Sequence, residues 1–79
     1  MRARVTVRLK SGVLDPQGEA IERALHTLGF SGANNVRVGK VIELDVDGDA
    51  GRVKAELSAM ADKLLANPVI EDYAVEVLG

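Results

Sequence analysis

No cysteine occurs among the 79 residues, so no disulfide can brace the fold. The single histidine, His26, leaves a structural zinc site without ligands, since such sites take four Cys or His donors. There is no tryptophan, and only one phenylalanine and one tyrosine. RNA recognition on a sheet needs exposed stacking aromatics, so this composition speaks against it. No apolar run approaches the ~20 residues that span a bilayer. The segment Met1-Arg2-Ala3-Arg4-Val5-Thr6-Val7-Arg8 lacks the apolar centre of a signal peptide. The expectation is a cytoplasmic protein with neither a membrane nor a nucleic-acid partner. The phosphate patterns G-x-G-x-x-G and G-x-x-x-x-G-K-[ST] are also missing.

A chain of this length forms a single domain, residues 1–79. A domain so small buries only about 60% of the surface its unfolded chain exposes, so its core is marginal. With disulfides and structural zinc excluded, association with a partner is the remaining source of stability.

What is present is strong patterning. Residues Arg2 to Lys10 alternate: Ala3, Val5, Val7 and Leu9 face one way, while Arg2, Arg4, Thr6, Arg8 and Lys10 face the other. Period two with β-branched residues predicts a half-buried antiparallel strand. Ser11-Gly12 ends it. Asp15 is then a helix N-cap with Pro16 at the first helical position, where its missing N–H is harmless. Ile21, Ala24, Leu25 and Leu28 form one apolar stripe. Gly29 is the expected left-handed residue after the helix, with Phe30 folding back on Leu25.

After Asn34-Asn35, residues Val36, Val38, Ile42, Leu44 and Val46 share one phase, with Lys40 the intruder beside Gly39. A two-residue hairpin at Gly39-Lys40 would turn Glu43 and Asp45 into the core, against the pattern. A three-residue turn keeps the phase. The favoured reading is one long strand, bent or bulged at Gly39. Asp47-Gly48-Asp49 reads as a turn and a second cap. Val53, Leu57, Met60 and Leu64 line the following helix, with Ala50 and Ala61 beside the stripe. That helix stops at Ala66-Asn67-Pro68, where asparagine tolerates a left-handed ending. A last strand from Val69 to Leu78 turns Tyr73, Val75 and Val77 inward.

The order is strand, helix, strand (whole or split), helix, strand. It predicts an α+β, ferredoxin-like sandwich, with two helices on one face of an antiparallel sheet. Residues 1–40 carry seven Lys/Arg and three acids, net +4, and the remainder carries net −6. With the first strand central, Arg2, Arg4, Arg8 and Lys10 fall beside Glu43, Asp45, Asp72 and Glu76. The asymmetry is then internal cross-strand pairing.

Candidate chemistry is sparse. His26 has no ligand partner at metal spacing, and reads as an exposed helix residue that can pair with Glu22. Asp45, Asp47 and Asp49 imitate the start of a calcium loop, but the required glycine is missing: counting from Asp45, the sixth position is Ala50. No nucleophile lies beside a base, so no catalytic residue is assigned.

Four stretches carry a resemblance. They are Val7-x-Leu9-Lys10-x-Gly12-Val13-Leu14-Asp15-Pro16-Gln17-Gly18; Ala24-Leu25-x-x-Leu28-Gly29; Val36-Arg37-x-Gly39-Lys40-x-Ile42-Glu43-Leu44; and Leu64-Leu65-Ala66-Asn67-Pro68-Val69-Ile70-Glu71-x-Tyr73. Together they resemble the PurS subunit of phosphoribosylformylglycinamidine (FGAM) synthase, over nearly the whole chain. Ala61 departs from the cysteine that many relatives carry, a packing difference only.

The resemblance implies a homodimeric, non-catalytic subunit in de novo purine biosynthesis. Its partners would be an ATP-dependent synthetase (PurL-type) and a glutaminase (PurQ-type). The chain would bridge them and support ammonia transfer. ATP, magnesium and glutamine would be used by those partners, with no cofactor or metal on this chain. Gly and Pro fix loop backbones at low ordering cost, which nominates a partner-binding surface of Lys10, Gly12, Val13, Leu14, Gln17, Gly39, Lys40, Asn67, Pro68, Val69 and Ile70. The alternative is a ferredoxin-like regulatory module that senses a small molecule.

Overall fold

The computed structural model describes all residues, Met1–Gly79. Three strands form one antiparallel sheet in the order β2-β1-β3, with β1 Arg2–Leu9, β2 Gly39–Asp45 and β3 Glu71–Val77. Helix α1, Pro16–Thr27, lies between β1 and β2, and helix α2, Ala50–Met60, between β2 and β3. This is the expected α+β, ferredoxin-like class, with β1 in the centre. No helix is long and apolar enough to cross a membrane.

Alternation in β1 does what it predicts. Ala3, Val5 and Val7 are buried, and Val5 sits opposite Ile42 on one side and Val75 on the other. Val53, Leu57 and Ala61 of the α2 segment close over these valines and are themselves fully buried. On the opposite face Arg2 meets Asp45 at 3.5 Å, and Arg4 bridges Glu43 at 3.2 Å and Glu76 at 3.6 Å. Lys10 reaches Asp72 at 3.5 Å. Part of the charge asymmetry of the sequence is absorbed here, within the sheet; Arg8, expected among these pairs, makes no ion pair.

Three local expectations change. Residues 36–38 do not extend β2, and no hairpin forms, because β2 pairs only with β1. The strand starts at Gly39, where the backbone runs against Val7 and a Cβ would stand 2.9 Å from the Val7 carbonyl oxygen. No bulge is needed. Next, Ala61–Leu65 is a π-helical turn, closed by Ala66 N–H donating to the Ala61 carbonyl at 2.9 Å. The wider turn carries the buried line from Leu57 through Ala61 to Ala66, and leaves Leu64 83% exposed. Lastly, Asn67 is not left-handed; Asn35 is the one non-glycine residue with positive φ, 56°. Ala66 is already extended, and Asn67 instead makes a turn in which its Oδ1 accepts from Val69 N–H at 3.1 Å.

The placement of α1 is the main departure from a two-helix sandwich. Only α2 packs on the sheet, on its β3 side; α1 makes almost no contact with any strand or with α2. The reason lies in polar side chains along α1 that bind the returning segment instead. The Asp15 carboxylate accepts from Val38 N–H, Glu22 accepts from Val36 N–H, and the His26 ring donates from Nε2 to the Ala33 carbonyl. Helix and return thus form an arm. The molecule measures 48 × 26 × 14 Å, with a radius of gyration of 15.9 Å, against about 12 Å for a compact chain of this length.

Leu57 anchors the small core, so Leu57→Ala is expected to cost about 2–5 kcal/mol. The measurement is the urea midpoint at unchanged slope; a loss below about 1 kcal/mol would contradict this account of the core.

Candidate docking site

Three loops meet at one end of the sheet. The first leaves β1 at Lys10. Val13 N–H donates to the Lys10 carbonyl at 3.1 Å across a turn in which Gly12 has φ 87°, a conformation glycine adopts without strain. Asp15 then caps α1, its Oδ1 accepting from Gly18 N–H at 2.8 Å and its Oδ2 from Val38 N–H at 2.8 Å. The residue is 5% exposed and fully satisfied. Gly18 is required at this crossing, because a Cβ there would collide with the Val36 carbonyl oxygen.

The second loop, Val36 to Lys40, is bolted to the first by Arg37. Its guanidinium donates to the Val13 carbonyl at 2.7 Å and to the Lys10 carbonyl at 3.1 Å. The third, Asn67 to Ile70, joins through Lys10 N–H, which donates to the Ile70 carbonyl at 2.8 Å. Glu71 stiffens it by accepting from Asn67 N–H at 2.7 Å.

The nominated residues therefore share one end of the molecule, in two kinds of place. Gly12 and Gly39 are occupied by backbone geometry. Lys10 and Val13 lie within the locked turn, with the Lys10 ammonium on Asp72. Gln17 and Lys40 line an open groove of about 430 Å³ together with Arg8, Val38 and Glu71. Leu14 is 64% exposed and Val69 82%, with Pro68 and Ile70 also at the surface. Rigid loops thus hold exposed aliphatic side chains, which is what a protein surface needs to dock at low ordering cost.

Four residues that organise the site were not nominated: Asp15 beyond its capping role, Glu22, Arg37 and Glu71. Their bonds reach across 23, 14, 24 and 4 positions in sequence. Only the resemblance hinted at Arg37 and Glu71, as motif members. No group of three or more His, Cys, Asp or Glu is arranged to hold a metal ion.

A small ferredoxin-like α+β domain, with a rigid surface of loops at one sheet end, is the class of protein that fold and site define. The family model PurS, described as phosphoribosylformylglycinamidine (FGAM) synthase, matches residues 2–79. The chain belongs to the PurS family. It is 46% identical over 77 residues to phosphoribosylformylglycinamidine synthase subunit PurS of Methanocaldococcus jannaschii, covering 96% of this chain and 93% of that one. The structure of Bacillus subtilis PurS superposes with a TM-score of 0.90 at 42% identity, over 99% of this chain and 98% of that one. A chain in the structure of PurLQS from Thermotoga maritima gives a TM-score of 0.88 at 33% identity, over 98% and 95%.

The Asp15 carboxyl lies below its ordinary value of 3.8, chiefly because Val38 N–H and then Gly18 N–H hydrogen-bond its ionised form; burial opposes this and Arg37 adds to it. A carboxyl with a lowered folded pKa stabilises the fold fully above its unfolded pKa, about 3.9, and loses that contribution as pH falls through the folded value. Asp15→Asn is expected to be less stable than the parent at pH 7, with the difference closing below about pH 4. Urea melts from pH 7 to pH 2 measure it, and a pH-independent difference would contradict the assignment.

Proposed function

We propose that this chain is the adaptor subunit of phosphoribosylformylglycinamidine synthase in de novo purine biosynthesis, acting in the cytoplasm. As a homodimer it sits between a glutaminase and an ATP-dependent synthetase, and supports passage of ammonia from one to the other. Glutamine, ATP and magnesium are handled by those two chains, and this one contributes no catalytic residue.

Family membership supports the enzyme, and the Thermotoga maritima neighbour, whose structure is described as PurLQS, supports association with two further subunits. The single observation that carries the adaptor reading is the loop-built sheet end. Arg37, Asp15 and Asn67 fix three backbones there, while Leu14, Val69 and Ile70 stay exposed. Ammonia released into water is lost or protonated, so a glutamine-fed synthetase gains from sealing its two sites together. A bivalent adaptor does this by raising effective concentration, without chemistry of its own.

The test is glutamine-dependent FGAM formation by the two catalytic subunits with and without this chain. The expected result is activity that depends on the chain; equal rates in both would reject the proposal. In the same assay, Leu14→Asp with Val69→Asp is expected to weaken assembly about 30-fold or more, as for loss of a buried apolar anchor. Lys10→Ala with Gln17→Ala tests the polar rim, with an expected weakening of about 3–10-fold. Neither pair is expected to alter the far-UV spectrum, and unchanged assembly in both would remove this surface from the adaptor's contacts.

A further inference from the structure

The polar face of the sheet has one break in its pairing. Arg2 stands opposite Asp45, and Arg4 between Glu43 and Glu76, so each of these cations meets an acid across the ladder. Arg8 stands opposite Gly39 on β2 and Asp72 on β3. Gly39 has no side chain to offer, and the Asp72 carboxylate lies 3.5 Å from the Lys10 ammonium. The backbone keeps this gap open. A Cβ at Gly39 would stand 2.9 Å from the Val7 carbonyl oxygen and 3.1 Å from Arg8 Cγ.

At the gap lies a cleft of about 220 Å³. Thr6, Arg8, Arg37, Gly39 and Lys40 line it, and no acid does. Its three cations come from β1, from the loop before β2 and from β2 itself, and none makes an ion pair. Lys40 breaks the apolar phase of its segment and is exposed, so the core gains nothing from it. Arg37 donates to the Val13 and Lys10 carbonyls, which holds its guanidinium in place and leaves its other N–H groups for a ligand. The acids of the adjoining grooves are committed elsewhere. Asp72 is on Lys10, Asp15 accepts from Gly18 and Val38 N–H, and Glu71 accepts from Asn67 N–H.

These contents select a ligand class. Cations gathered without a counter-ion repel one another, and a bound anion relieves that repulsion. Two guanidiniums, an ammonium and a hydroxyl reaching in from different elements suit a tetrahedral oxyanion, whose oxygens also point in different directions. Guanidinium matches phosphate with two parallel hydrogen bonds, and ammonium serves it as a point charge. The volume suits one such group rather than a length of acidic polypeptide.

We infer that the cleft between Arg8, Arg37 and Lys40 is a phosphate-binding site, which takes inorganic phosphate or the phosphate group of a monoester. This goes beyond the adaptor reading and does not depend on it.

The test is a nuclear magnetic resonance titration of the isotope-labelled full-length chain in a phosphate-free buffer at low salt. The probes are inorganic phosphate, ribose 5-phosphate, acetate and a short glutamate-rich peptide. Phosphate is expected to give saturable shifts at the Thr6, Arg8, Gly39, Lys40 and Val41 amides, weakening as salt rises because the cleft is open to water. Arg8→Gln with Lys40→Gln is expected to weaken binding about 10-fold or more, with the fold retained because neither side chain is ion-paired within the chain. Arg2→Gln removes the same charge from a paired position of the same face, and is expected to change affinity by no more than about 2-fold. Ribose 5-phosphate binding more tightly than inorganic phosphate identifies a monoester as the ligand; the reverse, or equality, identifies the free anion. Either supports the site. Four results overturn it: no saturation by about 30 mM phosphate, an equal response to acetate, an equal loss in Arg2→Gln, or tighter binding of the peptide at these amides. The last would make the cleft a contact for an acidic protein segment. Since the readout is phosphate on this chain alone, its failure leaves the chain-dependent synthesis assay of the adaptor reading unaffected.

Discussion

The arrangement depends on one carboxylate. Asp15 caps α1 through Gly18 N–H and, with its other oxygen, captures Val38 N–H from 23 residues further along. The first bond starts the helix; the second decides where the helix lies. A cap satisfied only locally would leave α1 free to turn back onto the sheet. Because the same group also holds the segment entering β2, the direction of the arm is set at its root, and Glu22 and His26 extend the attachment outward. Hydrogen bonds to an ionised acceptor are stronger than neutral ones, and one shielded from water has no competing solvent.

Much of the fold was legible because it follows from local rules. The β1 alternation, both aspartate caps and the glycine ending of α1 each involve neighbours within a turn. Gly29 N–H donates to the His26 carbonyl and Phe30 N–H to the Leu25 carbonyl, the two bonds of a Schellman ending. The cross-strand charge pairs were legible too, since a central first strand puts Arg4 between Glu43 and Glu76. What failed was non-local. The apolar phase of Val36 and Val38 suggested a strand, but phase says nothing about whether a neighbouring strand is present. The stripe on α1 announced burial, yet Ile21 and Leu28 are exposed in the chain. The π-turn at Ala61–Leu65 shifts the buried line by a fraction of a turn, which a fixed 3.6-residue period cannot register. At the loop end of the sheet, glycine and proline marked the loops correctly, but the side chains that bolt them together, Arg37 above all, act on backbone carbonyl and N–H groups and leave no residue pattern.

The polar face of the sheet illustrates a different division of labour. Its ion pairs are solvent-exposed, so each contributes roughly 0–1 kcal/mol and less at high salt. Their effect is on register. Sliding β2 by one residue against β1 would set Arg4 beside a residue of the opposite face, and bring Ile42 and Leu44 out of the core. Apolar and charged faces therefore specify the same alignment. This matters in a domain with eight hydrophobic residues in its core, where few contacts are available to reject alternatives.

The strand order has a consequence for how the chain comes into being. β1 precedes every other element of the domain and is the centre of the sheet, and its pairing reaches the last strand, with Ala3 opposite Val77. As the chain is made, one edge of β1 stays open until β3 emerges. Closure of the sheet waits for β3, and it brings the two ends of the domain together. Met1 bonds to Val46, and Arg2 exchanges backbone bonds with Leu78 and Gly79. Such long-range closure is slow relative to helix formation. Loss of β3 would therefore leave one side of the central strand unpaired along its whole length.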